Sequence, residues 1–162
     1  MKRALRYTPY VCLLLMGLGL LGWLQSEQQR ADARLHETPN FGEPDWSRSV
    51  QTLRQQVDRE PTPEAKLATL ADLLTAPYRQ HDAPLRFRIA YSADGEPILR
   101  LNAAVVVPRW YAARAARIAH EEARRALGRE TPVHIYETYI VGPSRFIGVT
   151  RERNGVVEVA MQ

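Results

Sequence analysis

Tyr7–Ser26 (YTPYVCLLLMGLGLLGWLQS) is a run of twenty residues without a charged side chain, preceded by Lys2, Arg3 and Arg6. A helix needs roughly 20 mainly apolar residues to cross a bilayer core, so this run is predicted to be a transmembrane anchor. Tyr7, Tyr10 and Trp23 stand where aromatic side chains meet the membrane interface. A buried helix of a soluble domain would keep a polar face for water, and this run has none. A cleaved signal peptide is the second reading. Its small-x-small site would be Ala31-Asp32-Ala33, which lies well past Leu24 and among charged residues. Cys12 is the only cysteine, so no intramolecular disulfide is available.

Orientation follows from the basic flank. Three cations precede the run with no acid among them, whereas Glu27, Arg30, Asp32 and Arg34 balance after it. The N-terminus is expected in the cytoplasm of a bacterial inner membrane, and the rest of the chain outside it. The lipid bilayer is thus the first expected partner, through residues 7–26. The net charge of +4 is unevenly spread: residues 84–162 hold twelve basic and eight acidic side chains. That mild excess, outside the cytoplasm, argues against nucleic acid.

Beyond the anchor the sequence predicts a polar spacer over 27–44 and two short amphipathic helices over 45–77. Trp46, Val50, Leu53 and Val57 make the first helical stripe, capped by Asp45 or Ser47. Thr62-Pro63-Glu64 is a helix start. Leu67, Leu70, Leu73 and Leu74 face inward behind it, and Pro77 is expected to stop that helix.

From Leu85 the period changes to two, predicting strands over Leu85–Tyr91 and Ile98–Val107 around the Asp94-Gly95 turn. Pro108 opens a helix over Arg109–Leu127 that Gly128 ends. Strands over Val133–Val141 and Arg145–Arg153 follow, and Asn154-Gly155 marks a tight hairpin into Val156–Met161. The expected fold is therefore α+β: a two-layer ββαβββ domain over 84–162 with a mainly antiparallel sheet. Ala112, Ala115, Ala116, Ala119, Ala123, Ala126 and Leu127 form the side of the long helix that lies on it. The other side carries Arg114, Arg117, Glu121, Arg124 and Arg125. Arg117–Glu121 and Glu121–Arg125 are spaced for ion pairs, and Arg114, Arg117, Arg124 and Arg125 are a candidate interaction face.

No residue pattern calls for catalysis, a cofactor or a metal. His120-Glu121-Glu122 begins like a zinc-binding HExxH helix, but Arg124 stands where the second histidine belongs. His134 and Glu137, three apart on a strand, point to opposite faces. His36 and His81 fall in the spacer and a loop. Ser92 and Ser144 lack a nucleophile-elbow setting, and Asp94 and Glu96 are explained by their turn. Tyr136, Tyr139 and Phe146 are expected to cluster across neighbouring strands.

Two functions compete. The first is a non-enzymatic accessory or assembly subunit of an envelope system, which presents its exported domain to a protein partner. In that reading residues 45–83 capture the partner, and their removal leaves the sheet domain folded. The second is a periplasmic binding or sensing module for an anionic ligand, held by the basic helix face with Arg86, Arg88 and Arg100. Self-association is open in either.

Overall fold

The computed structural model describes residues 41–162, together with Met16, Gly17 and Gln25. The anchor over 7–26, with Tyr7, Tyr10, Cys12 and Trp23, and the spacer up to residue 40, with His36, lie outside the described residues but for those three. Among the described residues no helix is long and apolar enough to cross a membrane. Residues 39–162 form one compact unit.

The first helix, α1, spans Trp46–Asp58, and Asp45 caps it by accepting the Ser47 N–H. The second, α2, spans Pro63–Gln80 with Thr62 as its cap. Here the structure corrects the sequence reading: Pro77 lies inside α2 and does not end it. Its missing N–H costs one hydrogen bond near the helix end. In return Tyr78 is carried, 3% exposed, into a ring cluster with Trp46, Phe87 and Tyr111.

Strands β1 (Leu85–Tyr91) and β2 (Pro97–Ala104) form a hairpin. Helix α3 (Arg109–Leu127) ends at Gly128 in the left-handed conformation. Then come β3 (Val133–Thr138), β4 (Arg145–Arg153) and β5 (Val156–Met161). The sheet order is β1-β2-β3-β4-β5. Three pairings are antiparallel and the central one, β2 with β3, is parallel, so the sheet is mixed. α3 makes the crossover that a parallel pair requires.

Two predicted strands are too long. β2 stops at Ala104 because the Val107 N–H turns back to the Ala104 carbonyl, which aims the chain into α3. β3 stops at Thr138. Beyond it Tyr139–Val141 have no neighbour to pair with, since β2 has already turned away and β4 begins only at Arg145.

All three helices cover one sheet face. Leu67, Leu70 and Leu74 of α2, the alanine stripe of α3, and Leu85, Leu99, Leu101, Val133 and Ile135 of the sheet belong to a single buried core. Removing residues 45–83 would strip this core, so the sheet cannot be expected to stay folded without them. α2 also shields the edge strand β1. Thr75 Oγ1 accepts the Phe87 N–H at 2.9 Å and donates to the Ala71 carbonyl at 2.8 Å. A buried edge amide is satisfied there without a sixth strand.

Candidate functional site

The helix-free face of the sheet is where unneutralised charge gathers. Alternation along β1 sends Leu85 and Phe87 inward and leaves Arg86 and Arg88 exposed outward. The hairpin register sets Arg88 directly across from Arg100, and Arg86 across from Asn102. The parallel pairing continues the row, with Arg100 beside His134 and Asn102 beside Tyr136. In the β3–β4 register Phe146 stands opposite Tyr136 and Val149 opposite His134.

Like charges directly opposite on paired strands repel. A fold that keeps Arg88 and Arg100 face to face departs from local preference, which is how functional positions stand out. Arg100 is held in place from two sides. Its guanidinium carbon lies 3.7 Å from the centre of the Tyr136 ring, and its Nε donates to Asn102 Oδ1 at 2.9 Å. Phe146 meets Tyr136 and His134 edge-on, with ring centres 5.5 and 5.8 Å apart. Burial lowers the His134 pKa below the ordinary histidine value. Among the described residues Arg86, Arg88 and Arg100 make no ion pair. A groove of about 770 Å³ runs along this face and the edge of β1, lined by these three arginines, Arg79, Asn102 and Ser144 among others.

The helix face is electrostatically different. Arg114 pairs with Glu43 at 2.6 Å, and Arg124 with Glu152 at 2.7 Å. Arg125 reaches both Glu122 and Asp58 at 3.2 Å. Only Arg117 of the four has no ion pair among the described residues. The predicted Arg117–Glu121 and Glu121–Arg125 pairs do not occur. Glu122, on the side of α3 that faces α1, draws Arg125 and also Arg54, the latter at 2.6 Å. Burial pushes the Glu122 carboxyl up, but hydrogen bonds from Arg54 and Arg125 outweigh it and hold the group below the usual carboxylate range. These arginines tie α3 to its neighbours.

The other candidates are dispersed. His120 is wholly buried under α3, with Nδ1 2.9 Å from Thr150 Oγ1, whereas His134 lies on the opposite sheet face. Glu137 accepts the Tyr139 hydroxyl at 2.5 Å. Tyr139 stands outside the aromatic cluster, and His134 takes the third place there. Among the described residues no group of three His, Cys, Asp or Glu side chains is arranged to hold a metal ion. His81 lies against Gly42, and Ser92 and Glu96 share turn hydrogen bonds. No family model, curated protein or solved structure matches this chain.

Proposed function

We propose that this chain is a single-pass membrane protein, held by residues 7–26 in a bacterial inner membrane with its N-terminus in the cytoplasm. Its exported α+β domain works as a non-enzymatic accessory or assembly subunit of an envelope system. The open sheet face receives an acidic segment of a protein partner. The observation that carries this reading is the row Arg86, Arg88 and Arg100, without an ion pair among the described residues and set beside Tyr136 and Phe146. Arginine and aromatic side chains dominate the energetic centres of protein interfaces, and cations without a carboxylate partner keep their charge available to an acidic one. Of the four helix arginines, Arg114, Arg124 and Arg125 make ion pairs within the domain, which makes the sheet row the more available charge.

A smaller anionic ligand is the second reading, favoured by the opposition of Arg88 and Arg100 across one strand pair. Both readings are tested by purifying the full-length protein from its native membrane in mild detergent, beside an Arg88→Gln/Arg100→Gln variant. The proposal expects a stoichiometric partner with the native chain, weakened by salt and lost with the variant. A partner retained equally by both proteins would remove the sheet face from consideration. Recovery without a partner, together with binding of a carboxylate or phosphate that the variant loses, would establish the second reading.

A further inference from the structure

Five of the exposed large apolar side chains gather at one end of the sheet: Val106, Trp110, Tyr139, Ile140 and Val141. The parallel pairing brings the ends of β2 and β3 together, with Ala104 across from Thr138 and the Val105 N–H donating to the Thr138 carbonyl. Both loops therefore leave from the same place. Ile140 and Val141 are 102% and 89% exposed, a two-residue apolar tip that no internal packing explains.

Phe41, the first residue of the continuously described chain, lies at this end. Phe41 packs edge-on against Tyr111 at 5.1 Å, next to Trp110, and the Tyr111 hydroxyl donates to the Gly42 carbonyl. The fourteen residues 27–40 span at most about 50 Å when fully extended. Arg109, whose Nη1 donates to the Gln162 carbonyl at 2.9 Å, and Arg145, across from Glu137, are exposed at this end. Apolar residues at a convex tip, an amphipathic Trp and Tyr beside them, and a basic rim are the chemistry of a bilayer interface.

We infer that this end of the domain is seated on the bilayer, with Trp110, Ile140 and Val141 at the boundary of headgroups and acyl chains and Arg109 and Arg145 at lipid phosphates. The inference rests on the proposed anchoring through residues 7–26. Seating of this kind leaves the arginine row of the sheet face open beside the membrane.

The test uses the full chain in vesicles of phosphatidylglycerol and phosphatidylcholine. An environment-sensitive fluorophore is attached to Ile140→Cys in a Cys12→Ser background, with Val141→Cys as a second probe of the tip and Asp94→Cys, in the turn at the other sheet end, as control. Expected is loss of most emission at 140 and 141 to a lipid-borne nitroxide, protection there from aqueous iodide, and the reverse at 94. Iodide quenching at 140 and 141 equal to that at 94 overturns the inference. So does protection from both quenchers, which means that protein covers the tip. Carbonate extraction reads the anchor separately: a chain retained in the vesicles with an iodide-quenched tip keeps the anchor and loses the seating. A chain extracted by carbonate, yet quenched by the nitroxide beforehand, loses the anchor and keeps the seating.

Discussion

His120 shows how one buried side chain sets a pH limit on the fold. Thr150 Oγ1 accepts the Val133 N–H at 2.8 Å and shares a 2.9 Å hydrogen bond with His120 Nδ1, and among the described residues Nε2 has no partner. Burial lowers the pKa of the ring. The unfolded chain therefore takes up a proton first as pH falls below about 6.5. The contribution of the neutral ring is whole above that value and declines as pH falls toward the depressed folded-state pKa. Urea denaturation should show a midpoint that drops between pH 7.5 and 5.5, and His120→Leu should flatten that drop. Thr150→Val strands the Val133 N–H and should cost about 1–3 kcal/mol in the same assay. Gly148 is the second sensitive position. A Cβ there would come within 2.8 Å of both the Ala160 carbonyl oxygen and Met161 Sδ, so Gly148→Ala should destabilise by roughly 1–3 kcal/mol. Neither requirement was legible in the sequence, because each is set by a neighbouring strand or helix. The Arg88–Arg100 opposition was not legible either: counting outward from the expected Asp94-Gly95 turn sets Arg88 across from Leu101, and the observed register is one residue shorter. Replacing Arg88 with Gln should leave the thermal midpoint unchanged or raised, since a repulsion is removed.

Elements whose limits rest on local chemistry were readable in advance. Thr62 with Pro63 starts α2, Gly128 ends α3, and Asn154-Gly155, both at positive φ, turns β4 into β5. Elements limited by their neighbours were misread. Pro77 did not stop α2, because the ring cluster around Tyr78 favours one more turn. Tyr139–Val141 carry strand-forming residues yet have no strand to join. α2 shows the same dependence in its shielding of β1. Thr75→Val would bury the Phe87 N–H unsatisfied and should cost about 1–3 kcal/mol, measured by chemical denaturation. A gain of stability would mean that water or another strand already serves that edge.

At the scale of the whole domain, helices and sheet share one core, so unfolding should be a single transition with no separate loss of α1 and α2. Leu74→Ala, in a side chain with no exposure, should cost about 2–5 kcal/mol and shift that transition as a unit. Two transitions by circular dichroism and tryptophan fluorescence would contradict this. The candidate site belongs to this scale as well. Arg86, Arg88 and Arg100 were visible as residues, but that they lie in one row without an ion pair among the described residues, while Arg114, Arg124 and Arg125 are paired, depends on the arrangement of every element. The parallel junction of β2 and β3 also governs how quickly the domain assembles. The β1–β2 and β4–β5 hairpins close short loops, whereas joining β2 to β3 must first close the long α3 crossover and meet its entropy. Docking of two preformed hairpins across that junction is then the slow step. Ile135→Val should slow refolding in stopped-flow measurements, whereas Val157→Ala should chiefly hasten unfolding.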